Sequence, residues 1–451
     1  MILLNQMKKS LRDNLGVIFI IVLALVPLVL WYPLSPLGVR FSSSGAIFRS
    51  LGQLTGLLGM ALLSINFILA ARFRFLDKLF SGLNRVYVKH HIIGALSFCF
   101  LLFHPLFLTA QYLSISLKAA LIFLFSFQDW PMNFGKLGLL LLIVLMVITF
   151  YLNFKYQNWK NTHKYLGIVL FLGGLHMFFI PSDVSNNALL KYYMFSLASL
   201  GAFSYLYRTI FGIYKKGEYK YKLEKIIKIN ENVAELKLSP LSSKIRFLPG
   251  QFVFLRFESS LGEGENYGIL SEAHPFSVTS YPDDKDLSLG IKALGDYTSM
   301  VYLMKPGTIC KIEGPFGAFS YKKAQSKKQI WIAGGIGITP FLSMARHINV
   351  SGDNDYKIDL YYSIKNVSEA AFGSELREIS RQNENFKFYE HFSERDGYIS
   401  TKFISNNNSD ISGADVFLCG PPSFMQSLRE QFIKLGFGNN KIHSEEFSLS
   451  T

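Results

Sequence analysis

The chain has 451 residues, 50% of them hydrophobic and 15% aromatic, with a formal net charge of +14. The apolar residues crowd into the first 212 positions, which excludes a purely soluble protein, and the length leaves room for two or three domains. Lysines and arginines are spread along the chain and largely follow the loops of the apolar half, so the basic balance does not point to nucleic acid. Cys99, Cys310 and Cys419 are too few and too scattered for a disulfide framework or a cysteine metal cluster.

Taken in order, apolar segments of spanning length cover residues 15–34, 47–71, 90–109, 137–154, 165–180 and 188–211. Six spans are expected, the first retained, because no small-residue cleavage site follows its apolar run. Lys8, Lys9 and Arg12 precede the first span, Arg72, Arg74, Lys78, Arg85 and Lys89 link the second to the third, and Lys155, Lys160 and Lys164 link the fourth to the fifth. The opposite loops carry Arg40, Arg49, Lys118 and Lys136. The excess on one side places the N-terminus and everything after Arg208 in the cytoplasm of a multi-pass protein of the cell membrane. The connection over residues 111–133 is apolar enough to lie on the far surface.

Four histidines stand inside these spans. His90 or His91 and His104 lie in YVKHHIIGALSFCFLLFHPLF, and His163 and His176 in NTHKYLGIVLFLGGLHMFFI. Ionisable side chains inside a membrane are costly, so they are read as functional. His90 and His104 are fourteen apart, about 40° short of whole turns and roughly 21 Å of rise, hence on one helix face. His163 and His176 are thirteen apart, roughly 140° out of register on an ideal helix, so that helix must be distorted; the Gly173-Gly174 pair is the expected kink. His91 to His104 is also thirteen, which makes His91 a rival. The offset shared by His90 with Gly94 and by His163 with Gly167 favours His90. Facing imidazole pairs suit bis-histidine haem iron, giving His90 with His163 and His104 with His176 as metal ligands for two b-type haems.

After the basic linker YKKGEYKYK the pattern changes. Residues 222–240, 245–257, 274–281 and 286–298 read as consecutive strands without intervening helices, hence an antiparallel barrel or sandwich. From about Lys327 strands alternate with helices, which is a Rossmann-like α/β arrangement. Domains are expected over 1–213, 217–325 and 326–451. The Gly-rich turn Gly334-Gly335-Ile336-Gly337-Ile338-Thr339-Pro340 follows a strand and opens a helix, as a pyrophosphate site requires. Cys419-Gly420-Pro421-Pro422 forms a second such turn at the same sheet edge.

His274-Pro275-Phe276-Ser277 with Thr279-Ser280, Gly295-Asp296-Tyr297-Thr298, Gly314-Pro315-Phe316-Gly317, the GGIGITP turn and CGPP occur in the order seen in the ferredoxin-NADP reductase superfamily. Together with the spans and paired histidines, the chain resembles the ferric reductase and NADPH oxidase family of transmembrane flavocytochromes. The resemblance implies FAD, with His274, Lys292 and Thr298 toward its phosphates, Ser277 near the isoalloxazine N5, and Phe447 covering the ring; Phe447 is followed by SLST, a departure from the family's terminal aromatic. It implies Cys419 beside the nicotinamide. Lys365, Ser393 and Arg395 are available to a 2′-phosphate, so NADPH is expected over NADH. Arg49 resembles an arginine held beside the outer haem. No EF-hand loop is present. The activity implied is transfer of electrons from NADPH through FAD and two haems b across a lipid membrane to dioxygen, giving superoxide. A ferric chelate or an extracytoplasmic protein partner are the alternative acceptors.

Overall fold

The computed structural model describes residues 2–80, 82–152, 156–212, 218–258, 272–353, 355–408 and 410–445. It forms two compact units, a helical one over Leu11–Tyr214 and a second one over Lys215–Leu449.

The principal helices of the first unit are α1 (Ile2–Trp31), α2 (Ser44–Ala70), α3 (Leu83–Leu113), α4 (Trp130–Tyr151), α5 (Tyr156–Lys164), α6 (Leu166–Phe179) and α7 (Ala188–Tyr205). Four are long and apolar enough to cross a membrane: α1 from Asn14, α2, α3 and α4. The fifth and sixth expected spans are helical but fall short of that measure. Helix α6 has 14 residues, about 21 Å against a hydrocarbon core of about 30 Å, and α7 carries Lys191 among several tyrosines and serines.

Helix α2 is the centre of the unit, with 56% of its apolar window buried against 28%, 11% and 17% for α1, α3 and α4. Small residues make it so. A Cβ added at Gly52, Gly56 or Gly59 would strike Leu108, His104 or Leu101 of α3, and bare glycine lets the two backbones approach, as small-residue stripes do in membranes. The Ser97 hydroxyl of α3 then reaches the Gly59 carbonyl at 2.8 Å. On other sides of α2, Gly201 of α7 lies against Ser64, and Gly173 of α6 against Met60.

The distortion expected between His163 and His176 is present, but not at Gly173-Gly174. Helix α6 runs unbroken through both glycines, and the interruption is at Tyr165. There Tyr165 N–H bonds to the Thr162 carbonyl (3.0 Å) and Ile168 N–H to the Tyr165 carbonyl (2.9 Å). Such 3₁₀-type turns rotate about 120° per residue instead of about 100°, and so recover part of the missing rotation.

The second unit holds two sheets. Strands β1 (Tyr219–Lys228), β2 (Val233–Pro240), β3 (Phe252–Phe257), β4 (His274–Ser277), β5 (Leu287–Lys292) and β6 (Ile309–Phe316) are ordered β4-β3-β6-β1-β2-β5, antiparallel throughout. Val278 bridges to Leu289, so the two edges meet and the sheet curls on itself. The Asn230 side chain sets the first hairpin by accepting from Asn232 and Val233 N–H. Helices are not excluded from this sheet, as the alternation had suggested: the segment read as the end of a strand forms α8 (Asp296–Val301).

The other sheet is parallel, with β7 (Lys328–Gly334), β8 (Lys357–Ile364), β9 (Phe386–Phe392), β10 (Asp415–Cys419) and β11 (Ile442–Glu445) in the order β11-β10-β7-β8-β9. The order reverses between β7 and β10, the crevice where open α/β sheets bind ligands. Helix α9 (Thr339–Ser351) follows β7, α10 (Gly373–Gln382) follows β8, and α11 (Pro422–Lys434) follows β10.

Candidate functional site

In the helical unit the structure brings the four histidines together as two pairs. The ring centres of His90 and His163 are 6.4 Å apart, and those of His104 and His176 are also 6.4 Å apart. His91 lies beside His90, ring centres 5.8 Å apart. Three of the four rings are oriented from behind. Nδ1 is 3.2 Å from the Asn66 carbonyl in His90, 2.7 Å from the Gly52 carbonyl in His104 and 3.0 Å from the Pro131 carbonyl in His176. A carbonyl only accepts, so Nδ1 carries the proton and the lone pair sits on Nε2, the arrangement that prepares a metal ligand. His163 is instead stacked on Trp159, ring centres 5.1 Å apart, and its buried Nδ1 has no partner among the described residues.

The separation fits coordination. Two metal–imidazole bonds of about 2 Å and two ring half-widths of about 1.1 Å give roughly 6 Å between ring centres. Each pair can offer one metal ion two opposed nitrogens. Among the described residues no third His, Cys, Asp or Glu joins either pair, so the remaining positions would fall to a group brought from outside the chain. Glycines clear the space: a Cβ at Gly56 would come within 2.7 Å of the His104 ring, and one at Gly135 within 2.9 Å of the His176 ring. Neither those glycines nor the carbonyls of Asn66, Gly52 and Pro131 were among the expected site residues. The spacing of Gly52, Gly56 and Gly59 was a visible signal; the carbonyls left none.

Arg49 is exposed and lines a cavity of about 480 Å³ with Arg40, Gln53, Gln111 and Asp183. It shares a face of α2 with Gly52 and Gly56, which pack on His104. Arg40, expected only as a loop charge, is buried. Its guanidinium sits 3.4 Å over the Trp31 ring, and the Trp31 indole N–H donates to Asp183 at 2.9 Å.

In the second unit His274 stacks on Tyr297 of α8, ring centres 3.9 Å apart, and bonds to Glu272 at 3.1 Å. Pro275, Phe276 and Ser277 pair with Phe254, Val253 and Phe252 of β3, with Phe276 and Ser277 buried. Lys292 ends β5 opposite Val233. The Thr298 hydroxyl folds back on the local chain, accepting from Leu294 and Gly295 N–H. Thr279 and Ser280 are fully buried and committed inward: the Thr279 hydroxyl donates to Glu235 at 2.7 Å, and the Ser280 hydroxyl accepts from Ser288 N–H at 3.0 Å. Phe447 lies outside the described residues.

The two glycine turns meet at the sheet edge. Gly335 has φ +54, open to glycine at little cost, and a Cβ at Gly337 would lie 2.3 Å from the Cys419 carbonyl. A Cβ at Gly420 would lie 2.9 Å from the Phe424 ring and 3.1 Å from the Gly334 backbone. Thr339 and Pro340 open α9, and Pro421 precedes α11. Cys419 is fully buried, and burial, with Glu445 adding to it, pushes its thiol well above the usual value. Burial thus favours the neutral thiol, and thiol reactivity depends on the thiolate. Lys365 and Ser393 stand together where β8 and β9 end, with Glu394 N–H bonded to the Lys365 carbonyl at 3.1 Å. Arg395 is beside them but already paired, both contacts to Asp396 being 2.8 Å.

Comparison with known proteins agrees with this layout. Residues 55–174 match the ferric reductase like transmembrane component, 218–327 an FAD-binding domain and 331–430 an oxidoreductase NAD-binding domain. A flavohemoprotein of Candida albicans is 29% identical over 245 residues, 50% of this chain and 58% of that protein. A superoxide-generating NADPH oxidase heavy chain of Dictyostelium discoideum is 29% identical over 194 residues, 37% of this chain and 25% of that protein. The chain thus spans little more than half of the first relative and a quarter of the second. A flavohemoglobin structure from Malassezia yamatoensis covers 90% of this chain and 98% of its own at 18% identity, with a TM-score of 0.47.

The chain therefore combines a ferric reductase-like transmembrane component with an FAD-binding and an NAD-binding domain, the domain make-up of a membrane oxidoreductase. In that component, and in having an NADPH oxidase heavy chain among its relatives, the chain is similar to the ferric reductase and NADPH oxidase family.

Proposed function

We propose that this chain carries electrons from cytoplasmic NADPH through FAD and two b-type haems to an acceptor on the far side of the cell membrane, dioxygen being reduced to superoxide. The observation that carries the reading is the two imidazole pairs, each 6.4 Å between ring centres, set fourteen residues apart along α3. When bound, FAD takes two electrons from a nicotinamide together and passes them on singly to iron. His90 and His163 would hold the inner haem, and His104 and His176 the outer one, with the rings of His90, His104 and His176 fixed from behind by carbonyls. Ser277 and His274 would hold the flavin, and the turns at Gly334–Gly337 and Cys419–Pro421 the nucleotide. Lys365, Ser393 and Arg395 would favour NADPH, with NADH also accepted because Asp396 already occupies Arg395. With two histidines committed to each iron, the acceptor would be reduced without binding to it.

A ferric chelate is the second reading, favoured by the cavity holding Arg40 and Arg49, whose guanidiniums attract anions. Two haems b per chain by pyridine haemochrome, NADPH-driven reduction of both, and cytochrome c reduction abolished by superoxide dismutase are the expected results. A protein without haem after expression in haem-replete cells would overturn the proposal, and dismutase-insensitive ferric reduction under anaerobic conditions would favour the second reading.

A further inference from the structure

Helix α9 begins where the GGIGITP turn ends, and one of its faces lies on the flavin-side sheet along its length. Thr339, Ser343 and Arg346 are spaced four and three residues apart, so they share that face. At its start, Gly290 of β5 has no Cβ, and one placed there would come within 2.4 Å of the Thr339 methyl and 3.1 Å of the Thr279 methyl. One turn on, the buried Ser343 hydroxyl donates to the Ser280 carbonyl at 2.6 Å. Another turn on, Arg346 donates through Nη1 to the Thr279 carbonyl at 3.0 Å and to Glu235 of β2 at 2.6 Å. Its Nε and Nη2 make a forked pair with Glu375 of α10 at 2.6 and 2.7 Å. The Thr279 hydroxyl closes the group by donating to the same Glu235 oxygen at 2.7 Å.

Thr279 and Ser280 follow His274–Ser277, the strand that would hold the flavin, after Val278 alone, and α9 is the helix that opens from the turn that would hold the nucleotide. One guanidinium therefore ties both halves of the reaction to each other. The side chains of Arg346 and Glu235 are 14% and 4% exposed, so the charges are held in a setting where geometry is fixed and loss of one partner is felt.

We propose that Arg346 is a positioning residue for hydride transfer: through Glu235 and the Thr279 carbonyl it sets the distance between the flavin-binding strand and the nucleotide-binding turn. In that step the nicotinamide C4–H bond breaks as the flavin N5–H bond forms, both electrons moving with the hydride. A displacement of about 1 Å in such a step can cost on the order of 100-fold in rate. The inference rests on the assignment of the flavin and the nucleotide to these two segments.

The test uses the full chain in detergent. Arg346→Met, and the double variant Glu235→Leu with Arg346→Met, are compared with the wild type in anaerobic single turnover with NADPH and with NADPH deuterated at C4. FAD content, NADP⁺ affinity by titration calorimetry and thermal midpoint are measured alongside. Replacing a buried ion pair by apolar groups of similar size can restore stability, so the double variant separates folding from positioning. The expected result is a loss of roughly 10- to 100-fold in flavin reduction per FAD-loaded chain in both variants. FAD content and NADP⁺ affinity stay within about twofold, the deuterium effect grows, and the double variant recovers its thermal midpoint but not its rate. Rates that recover with the midpoint, or that never fall, would overturn the proposal. Wild-type-like hydride transfer after His274→Ala together with Gly337→Val would instead show that the two segments were wrongly assigned.

Discussion

The Nδ1 atom of His104 lies 2.7 Å from the carbonyl oxygen of Gly52, and one turn further along α2 the bare Cα of Gly56 faces the same ring. Both contacts depend on a side chain being missing. Alanine at position 56 would strengthen the helix by about 1 kcal/mol on propensity alone, yet its Cβ would sit 2.7 Å from the ring nitrogen. Gly56→Ala should therefore leave the inner haem in place and reduce the outer one, bringing the pyridine haemochrome count from two per chain toward one.

The inner pair can be tested against its neighbour. His90 has the Asn66 carbonyl behind it and His163 opposite it. Alanine at His90 or His163 should cost one haem per chain, whereas His91→Ala should retain both. Loss of the inner haem only in His91→Ala would give the ligand role to His91.

Acid should loosen the second unit through Glu235. Burial pushes this carboxyl up, but Arg346, with Thr279 and Lys237, outweighs burial and holds it below the ordinary 4.5. A carboxylate depressed in the folded state contributes stability above its unfolded value and loses it as pH falls through the folded one. The thermal midpoint, followed by FAD release, should therefore drop below pH 4.5 in the wild type, and Glu235→Gln should show a lower midpoint at neutral pH with a flatter acid limb.

On the proposed assignment, nucleotide choice turns on an ion pair. Arg395 is held by both oxygens of Asp396, so a 2′-phosphate must compete with a carboxylate for the same fork. Asp396→Asn should lower the KM for NADPH by roughly 3- to 10-fold through a freed charge-assisted contact, with the KM for NADH unchanged. Equal changes for both nucleotides would remove Arg395 from the phosphate site.

Gly337 marks where the two nucleotide turns touch. An added Cβ would lie 2.3 Å from the Cys419 carbonyl, an atom that cannot swing aside because Cys419 is paired with Ala333 and Glu445 in the sheet. Gly337→Ala should raise the KM for NADPH by about 10-fold or more while FAD content is kept, since binding across this crevice requires the turns to stay together.

Much of this was written in the chain itself. A run of apolar residues carries its own reason to be helical in lipid, and a histidine inside it is conspicuous because burial of an ionisable group needs a cause. The glycine turns after β7 and β10 were equally plain, since a phosphate-binding turn needs backbone without side chains. Partners across the fold were not legible. The carbonyls behind His90, His104 and His176 have no residue-type signature, and the break at Tyr165 was misplaced to Gly173-Gly174 because composition marks where a helix can bend and packing chooses where it does. Glu235, Thr279 and Arg346 look like an ordinary acid, hydroxyl and base until tertiary structure sets them within 3 Å of one another. Sequence alone determined the order of domains and pointed to the kind of chemistry proposed, because periodicity and side-chain type are local. Which ring faces which, and what holds it there, was decided only by the folded chain, because those contacts join residues far apart in sequence.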